Sequence, residues 1–297
     1  MGSHIWVFGS LNADLVVEVE RQPRPGETLS GGDLAVIAGG KGANQAVAAA
    51  RLGADVRMIG AVGDDAFSGI LLDSLTEASV DHSRVRRSDR PTGAALITVA
   101  QSGENSIVIS PGANADPTPE SVVEDLRDIE PGDFLLCQLE SPVETVEAAL
   151  RHARARGAQT MLDPAPARPL PTSLLREVDI LTPNEGEAAT LRPTAPRDDP
   201  AAQAEALKAM GPGQVCLKLG AKGFYLDRTY PAFQVDAVDT TAAGDVFNAA
   251  LAVALLEGRP LAFAAAAAAV SVTRKGAQPS APSTEEVEML LSNRQSV

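Results

Sequence analysis

The sequence has few of the residues on which disulfide-bonded, zinc-binding and redox proteins depend. Its 297 residues include two cysteines, Cys137 and Cys216, and three histidines. Each cysteine lies within an apolar run, so we expect buried free thiols rather than a disulfide, a metal pair or a nucleophile. The histidines are scattered and form no zinc motif. Reduced thiols are typical of a cytoplasmic protein, and we expect this location.

Basic residues and long apolar runs are also scarce. The chain has 25 lysines and arginines against 39 aspartates and glutamates, which gives a net charge of −14 and a pI of about 4.7. This charge argues against binding to nucleic acid or to an anionic membrane surface. No apolar run has the length that a bilayer span requires, and the alanine-rich run at 261–270 predicts a tightly packed core helix.

Strand and helix patterns alternate along most of the chain. The predicted strands cover 5–9, 56–60, 134–139, 159–163, 180–182 and 215–219. The predicted helices cover 43–51, 67–78 and 144–156, and two more begin at 244 and 261. Such alternation is typical of an α/β protein whose parallel sheet is covered by helices on both faces.

Two stretches break this alternation. Residues 28–38 and 93–109 alternate apolar with polar or small side chains, and a turn signal at Gly103 lies within the second stretch. They predict a small antiparallel β-sheet that acts as a lid. We therefore expect one α/β domain over 5–290, with lid strands at about 13–38 and 92–110 and an expression-tag remnant at 1–4.

The most informative motif is the small-residue turn before the helix that begins at 244. Ala242, Ala243 and Gly244 let an anion approach the unpaired N–H groups and the positive dipole of a helix start. Asp245 follows in the first turn of this helix. A negative charge beside a phosphate site weakens phosphate binding, so we expect Asp245 to have another role, that of a base that takes a proton from an attacking hydroxyl. An enzyme that transfers phosphoryl groups to alcohols needs both features. The alternative at this point is that Asp245 only caps the helix.

Other polar groups follow predicted strands, at the edge where open α/β sheets bind ligands. Asn12 and Asp14 either bind sugar hydroxyls or form an Asx turn. The GGKGAN segment at 39–44 either binds an anion or polar oxygen at a helix start or forms a simple tight turn, and its spacing is not that of a P-loop. Glu140 also ends a predicted strand, where a lone glutamate is ordinarily solvated.

Two further segments have the same ambiguity. Asn184 and Glu187 lie one helical turn apart, so they either face a common Mg²⁺ or form an ordinary helix cap. The turn at 220–223 follows a predicted strand and either admits a nucleotide or is only a turn.

Together these segments resemble the ribokinase-like (PfkB type) family of sugar kinases, from Val7 to about Ser280. GGKGANQAVAAARLGA and DTTAAGDVFNAAL resemble the two family signatures, and GSLNADLV, QLESPVETV, DPAPARPLP, ILTPNE and VTRKGAQPS occur in the expected order. GSLNAD, QLES, PAPA and TRKGAQPS favour the members that phosphorylate ribose over adenosine, fructose or ketodeoxygluconate kinases. The resemblance implies a three-layer fold with a lid, and ATP-dependent phosphorylation of the ribose 5-hydroxyl.

The resemblance also implies a role for each matching residue. Asp245 would deprotonate the 5-hydroxyl, and the amides of 242–244 would form the anion hole for the transferred phosphoryl group. The residues expected to hold ribose are Asn12, Asp14, Gly40, Lys41, Gly42, Asn44, Glu140 and Asp245. The residues expected to bind ATP are Asn184, Lys218, Leu219, Gly220, Ala221, Lys222, Gly223 and Gly244.

Mg²⁺ and K⁺ are the cofactors that the resemblance implies, with ATP as co-substrate. Asn184 and Glu187 would organise Mg²⁺ through water. The K⁺ site, with several positions acting through backbone carbonyls, would comprise Asp239, Thr241, Ser271, Arg274, Gly276 and Ser280. Because lid strands commonly pair between two subunits in this family, the resemblance also implies a homodimer.

Two departures leave the nucleotide preference open. The segment at 223–239 is shorter than the resemblance implies, and Ala265 stands where a family member can offer a polar side chain near the base. A kinase for 2-deoxyribose, pseudouridine or another related acceptor remains an alternative. A non-catalytic sugar or nucleotide sensor is disfavoured by the intact Asp245, and a dinucleotide-dependent oxidoreductase by the missing G-x-G-x-x-G fingerprint.

Overall fold

The computed structural model describes residues 2–196 and 198–294, in which strands and helices alternate. The strands are β1 (Ile5–Phe8), β2 (Asn12–Val19), β3 (Ala35–Gly39), β4 (Val56–Gly63), β5 (Asp81–Ser88), β6 (Gly93–Ala100), β7 (Asn105–Ser110), β8 (Phe134–Cys137), β9 (Gln159–Leu162), β10 (Ile180–Leu181), β11 (Gln214–Val215), β12 (Leu217–Lys218), β13 (Phe224–Tyr225) and β14 (Thr229–Tyr230). The helices are α1 (Lys41–Arg51), α2 (Ala66–Glu77), α3 (Pro119–Asp125), α4 (Val143–Ala155), α5 (Thr172–Leu175), α6 (Glu185–Leu191), α7 (Pro200–Lys208), α8 (Ala243–Glu257), α9 (Ala262–Ser271) and α10 (Thr284–Arg294).

Seven strands form one parallel sheet in the order β11-β10-β9-β8-β1-β4-β5. Successive side chains of a strand point to opposite faces of its sheet. In β1, Ile5 and Val7 accordingly join the apolar cluster on one face, whereas Trp6 and Phe8 join the cluster on the other. The sheet is therefore buried on both sides, and the predicted three-layer α/β core is confirmed.

Within residues 2–196 and 198–294, the ten helices divide between the two faces. Residues of α1, α2, α8, α9 and α10 pack in one apolar cluster, and residues of α3, α4, α5, α6 and α7 pack in the other. The alanine-rich run at 261–270 forms most of α9, whose buried residues include Ala264, Ala266 and Ala267. Small side chains let α9 lie against α8, as the sequence predicts for a tightly packed core helix.

A second, four-stranded sheet has the order β3-β2-β6-β7. Its outer pairs, β2 with β3 and β6 with β7, are antiparallel, as predicted. The inner pair of β2 and β6 is parallel, which corrects the expectation for that pair. The reason is that β2 follows β1 and β6 follows β5, so both strands leave the same edge of the large parallel sheet. We call these four strands the small sheet.

Several predicted boundaries were wrong for identifiable reasons. Within the stretch at 28–38, only 35–38 is a strand, as part of β3, because Gly31 and Gly32 lie in an exposed loop. The strand predicted at 215–219 is two strands. β11 belongs to the seven-stranded sheet, and β12 belongs to a separate three-stranded antiparallel sheet with β13 and β14. β5 was missed because it is a polar edge strand, and α3 was also missed. Among residues 2–196 and 198–294, no helix has the length and apolar character needed to cross a membrane.

The first turn of α1 lies directly against the loop that follows β1. Gly40 precedes this helix with a φ of 91°, a conformation that favours glycine. A Cβ added at Gly42 would lie 2.6 Å from the carbonyl carbon of Gly9 and 2.7 Å from the nitrogen of Ser10. These two backbones can approach so closely only without a side chain, which fixes α1 against the carboxyl edge of the large sheet.

Gly42→Ala is expected to destabilise the protein by about 1–3 kcal/mol, because its methyl group would overpack this backbone contact. Gly69→Ala is the matched control, since Gly69 is exposed in α2 and its added Cβ would have no neighbour within 4 Å. That control is expected to stabilise α2 by about 0.5–1 kcal/mol. Urea unfolding measures both changes, and equal effects from the two variants would contradict the close contact at Gly42.

Candidate active site

α8 begins at the carboxyl edge of the large sheet with an unusual backbone turn. Ala242 precedes the helix in the left-handed conformation, with a φ of 57°. The turn is closed by the Ala243 N–H, which donates to the Thr240 carbonyl at 3.2 Å. This turn of small residues therefore leads into a helix start whose positive end is available to an anion.

Asp245 lies in the first turn of α8 and is only 5% exposed. The Asn44 side-chain amide donates to its Oδ2 at 3.0 Å, and the Gln45 amide donates to its Oδ1 at 3.1 Å. Burial raises the pKa of Asp245, and the nearby Lys41 ammonium and these two amides oppose that rise. α1 thus supplies both donors that hold the carboxylate, which is more than an ordinary helix cap requires.

A second buried carboxylate, that of Asp163, lies next to this site. The Lys218 Nζ is 3.0 Å from Asp163 Oδ1, and Gln45 donates to Asp163 Oδ2 at 3.3 Å. Gln138 in turn donates to Gln45 Oε1 at 2.8 Å. The sequence analysis gave no role to Asp163, Gln45 or Gln138. Asp163 could have been noticed because it follows β9, at the same sheet edge as the other polar groups.

The polar residues after β1 form a compact pocket wall rather than an isolated turn. Asn12 donates to Glu140 Oε2 at 3.3 Å, and the backbone N–H of Lys41 donates to the same oxygen at 3.4 Å. Asn114, which the sequence analysis missed, donates to Asn12 Oδ1 at 2.7 Å. Ser10 also donates to Glu140. The structure therefore brings Asn12, Glu140 and the start of α1 together.

The charges around this pocket are strongly coupled. Burial, with help from the Glu140 and Asp245 carboxylates, raises the pKa of Asp14 to about 7, against the opposing Lys41 ammonium. The Asp245 carboxylate is the main cause that raises the pKa of Lys41. Asp14, Lys41 and Asp245 thus share one electrostatic environment, although they lie on β2, α1 and α8.

A cavity of about 330 Å³ opens on the other side of the α8 start. Its apolar walls include Phe224, Phe247 and Val235, and its polar end includes Lys218 and Gly244. Phe224 stacks on Tyr230 at a centroid distance of 4.6 Å. An apolar slot beside an anion-binding helix start suits a flat base attached to phosphates.

Most of the segment predicted to contact the nucleotide lies at this cavity. Lys218, Gly220, Ala221 and Gly223 line it, and so does Ala265. Leu219 instead packs in the apolar cluster on the opposite face of the sheet, and Lys222 is exposed.

Asn184 and Glu187 form a capping box at the start of α6. The Asn184 backbone N–H donates to Glu187 Oε2 at 2.7 Å, and its side-chain amide donates to Oε1 at 2.8 Å. Burial raises the pKa of Glu187, whereas the Lys218 ammonium lowers it. Within the described part of the chain, no group of three or more His, Cys, Asp or Glu side chains gathers as metal ligands would.

Asp239 organises the loop before α8. Its Oδ1 accepts from the Thr241 N–H at 2.9 Å, and its Oδ2 accepts from the Gly276 N–H at 2.8 Å. Three other positions predicted for the K⁺ site, Ser271, Arg274 and Ser280, take no part in these two hydrogen bonds of Asp239. The Ser271 hydroxyl donates to Ala268 O and the Ser280 hydroxyl to Ala277 O, while Arg274 pairs with Glu286.

Known proteins of one family are similar to this chain over nearly its whole length. A family model described as pfkB family carbohydrate kinase matches residues 3–284. The chain is 42% identical to a ribokinase of Haemophilus influenzae, over 96% of this chain and 97% of the relative. It is 36% identical to a deoxyribokinase of Salmonella typhi, over 97% and 98% of the two chains. A solved ribokinase of Arabidopsis thaliana complexed with ribose and ATP superposes with a TM-score of 0.88 at 35% identity, covering 98% of this chain and 99% of the other.

Asp14→Asn is expected to stabilise the ligand-free protein by about 1–2 kcal/mol at pH 8, because it removes a mostly buried negative charge that solvent screens only in part. The folded protein holds the Asp14 proton up to a pKa of about 7, whereas the usual value is 3.8. The wild type therefore loses stability as the pH rises between these values, and the difference between the two proteins should disappear near pH 4.

Thermal unfolding from pH 4 to pH 8 measures this dependence. Asp73→Asn is the control, since Asp73 is exposed on α2. A gain from Asp14→Asn that is as large at pH 4 as at pH 8 would contradict the shifted pKa.

Proposed function

Because the chain belongs to the pfkB family of carbohydrate kinases, we propose that it transfers the terminal phosphoryl group of ATP to ribose, giving ribose 5-phosphate and ADP. The observation that carries this proposal is the buried Asp245 carboxylate at the start of α8, next to a cavity that reaches Gly244. A base and an anion-binding helix start at one point suit phosphoryl transfer to an alcohol.

Ribose is proposed to bind between the small sheet and the start of α1. Asn12, Asp14 and Glu140 supply amide and carboxylate groups that accept from and donate to neighbouring hydroxyls. Gly40, Lys41, Gly42 and Asn44 complete the proposed site from α1. The hydrogen bonds from Asn12 and the Lys41 backbone to Glu140 support a preformed pocket, because they fix these groups before a sugar arrives.

Asp245 is proposed to accept the proton of the 5-hydroxyl as this oxygen attacks the phosphorus. Burial raises its pKa from the usual aspartate value and makes it a better base at neutral pH. The donors on Asn44 and Gln45 keep the carboxylate in one orientation. The backbone N–H groups of Ala242, Ala243 and Gly244, with the α8 dipole, would stabilise the negative charge on the transferring group. Closure of the small sheet as a lid would exclude water.

ATP is proposed to place its base in the apolar cavity and its phosphates towards Gly244. The residues of the segment 218–223 that line the cavity support this orientation, with Asn184 at its edge through a strand bridge to Lys218. Leu219 and Lys222 would contribute only through their backbone. No polar side chain is offered by Ala265, so base recognition there would depend on shape.

A water-mediated Mg²⁺ site at Asn184 and Glu187 fits the residues present. Both Glu187 oxygens already accept from Asn184, and each keeps a lone pair that can accept from water. Mg²⁺ usually keeps several waters and is held largely by substrate phosphates, so one such carboxylate suffices. The bound ion would neutralise phosphate charge, while Glu187 orients its water shell.

A K⁺ site that uses mainly backbone carbonyls is proposed for Asp239, Thr241, Ser271, Arg274, Gly276 and Ser280. Both Asp239 oxygens are used to tie 241 and 276 together, so this carboxylate shapes the loop rather than offering a free ligand pair. Ordering this loop would fix the turn at Ala242, which leads to the anion hole.

A homodimer through the small sheet is also part of the proposal. The exposed apolar side chains Leu34, Val36, Leu96, Ile107, Val108 and Ile109 all lie on or beside its strands, and they support this assembly. We further propose that the enzyme works in the cytoplasm, where Cys137 and Cys216 stay as the buried free thiols that the structure contains.

The direct test is ADP release from ATP and Mg²⁺ with ribose, fructose, adenosine and pseudouridine as acceptors, with 31P NMR to identify the product. Ribose 5-phosphate as the product of the fastest reaction would support the proposal. Turnover that is faster on a nucleoside, or none on any sugar, would contradict it.

2-Deoxyribose is the second candidate acceptor, because the chain is also 36% identical to a deoxyribokinase. The two sugars differ by one hydroxyl. A site built to hydrogen-bond a hydroxyl discriminates strongly against the analogue that lacks it, because buried polar groups are left unpaired. The ratio of kcat/KM for the two sugars therefore decides between them.

Asp245→Asn is expected to lower kcat by about 10²–10⁴-fold, because the substituted side chain cannot accept the proton. Ribose binding, measured by calorimetry, should remain detectable, since Asp245 contributes only part of the pocket. Near wild-type turnover in this variant would remove Asp245 from the role of base.

Replacing K⁺ by Na⁺ or by a bulky organic cation is expected to lower kcat, because the loop at 239–241 would lose the ion that orders it. Initial rates at constant ionic strength measure this effect, with saturating Mg²⁺ and ATP. Equal rates in all three salts would argue against the proposed K⁺ site.

A further inference from the structure

Two buried glutamines form a chain of hydrogen bonds that ends at the proposed base. Gln138 and Gln45 are each 1% exposed. Gln138 Nε2 donates to Gln45 Oε1 at 2.8 Å, and Gln45 Nε2 donates to Asp245 Oδ1 at 3.1 Å. The same Gln45 nitrogen donates to Asp163 Oδ2 at 3.3 Å. We call Gln138 and Gln45 the glutamine pair, which extends from the end of β8 through α1 to α8.

The direction of these hydrogen bonds is set by the two carboxylates. An ionised carboxylate only accepts hydrogen bonds, so Gln45 must present its Nε2 group to both of them. Its Oε1 atom then faces Gln138, and Gln138 must present its own Nε2 group in turn. The Gln45 amide cannot turn over without placing its oxygen against Asp163 and Asp245.

Folding stability alone gives a poor explanation for Gln138. Within the described residues, its Oε1 atom is buried and has no hydrogen-bond partner. A buried acceptor without a partner destabilises the folded protein, and an apolar side chain of the same shape would avoid that loss. The loop after β1 has no side chain where this amide lies, because a Cβ on Gly9 would be 1.9 Å from Gln138 Oε1. Both features are explained if Gln138 serves through its donor group, which holds Gln45.

We propose that Gln138 is a positioning residue for the reaction, which fixes the amide of Gln45 and thereby holds the Asp245 carboxylate in the orientation that receives the proton of the attacking hydroxyl. This inference rests on the proposed function for the role of Asp245. Gln138 donates to Gln45 and not to either carboxylate, so its effect on Asp245 passes through Gln45.

The effect is partial because a second donor also holds Asp245. Asn44, next to Gln45 on α1, donates to Asp245 Oδ2 at 3.0 Å. Without Gln138, the Gln45 amide is free to rotate towards Asp163 alone, which leaves Asp245 with one donor. The carboxylate then turns more freely, and a misplacement of about 1 Å can slow a reaction by about 10²-fold. Loss of Gln138 should therefore lower the rate rather than the affinity for substrates.

The same geometry affects the proton affinity of the base. Burial raises the pKa of Asp245, and the hydrogen bond from Gln45 is one of the effects that oppose this rise. Loss of that donor should therefore raise the pKa further. A substitution at Gln138 leaves in place the charged groups that face Asp245, which are Lys41 on α1, Asp163 after β9, Asp14 on β2 and Lys218 on β12.

The kinetic test compares Gln138→Met, Gln45→Met and the double variant with the wild type. Methionine is unbranched like glutamine and lacks the amide donor. Gln138→Met is expected to lower kcat by about 10-fold and Gln45→Met by about 10²-fold, while the dissociation constants of ribose and ADP, measured by calorimetry, stay unchanged. Because Gln138 acts through Gln45, the double variant should be no slower than Gln45→Met.

Gln203→Met is the matched control. Gln203 lies on α7, is 2% exposed and, among the described residues, also has a buried Oε1 atom without a partner. Gln138→Met and Gln203→Met each remove one buried amide, so their thermal unfolding should be alike, and only Gln138→Met should slow turnover.

A second measurement needs neither sugar nor nucleotide. 13C NMR of the aspartate carboxyl groups follows the pKa of Asp245 in the ligand-free protein, with its signal identified by its loss in Asp245→Asn. This pKa should be higher than in the wild type in Gln45→Met and, by a smaller shift, in Gln138→Met. It should stay unchanged in Gln203→Met, since a purely structural loss does not remove a donor from Asp245.

An unchanged kcat in Gln138→Met, or an Asp245 pKa that does not move, would overturn the inference. Additive losses of kcat in the double variant would also overturn it, because Gln138 would then act by another route. A wild type that fails to phosphorylate ribose, with a raised Asp245 pKa in Gln45→Met and Gln138→Met, would contradict the proposed function and leave the positioning of Asp245 intact. Normal ribose turnover by Gln138→Met would contradict only the inference.

Discussion

The candidate site depends on one contact, the meeting of α1 and α8 at the buried Asp245 carboxylate. Asn44 and Gln45 donate to its two oxygens from the N-terminal half of α1, and the nearby Lys41 ammonium balances its charge. α1 can reach this point only because Gly42 lets its backbone touch the loop after β1. A buried carboxylate that lost these partners would be costly, so the same contacts that permit Asp245 to be buried also fix its orientation.

The site concentrates charge that the ligand-free protein does not need for stability. The Asp163 and Asp245 carboxylates raise the pKa values of Lys41 and Lys218, and the Lys41 ammonium opposes the rise in the pKa of Asp14. In an acidic protein with a net charge of −14, binding a nucleotide requires local positive potential. The α8 start and Lys218 provide it beside the cavity, whereas Asp14 and Glu140 lie at the proposed sugar pocket. This separation of charge is the arrangement that phosphoryl transfer from ATP to a hydroxyl requires.

The sequence predicted the parts that depend on local pattern. Alternating strand and helix patterns predicted the parallel core, and the small-residue turn predicted the α8 start with Asp245 in its first turn. Contacts across the fold were not predictable in the same way. Asp163 and Lys218 are 55 positions apart, and Gln45 is 118 positions from Asp163, so only the sheet order brings them together. β5 was missed because an edge strand that pairs its arginines with acidic neighbours has no apolar pattern.

The central claim is that the Asp245 carboxylate faces the attacking hydroxyl of the sugar. A crystal structure with ribose, Mg²⁺ and a non-hydrolysable ATP analogue measures this directly. The account predicts the ribose 5-oxygen within about 2.6–3.2 Å of an Asp245 oxygen, on the line to the terminal phosphorus, with Asn44 and Gln45 still donating to the carboxylate. A sugar whose 5-hydroxyl points away from Asp245, or a terminal phosphate far from the α8 start, would contradict it.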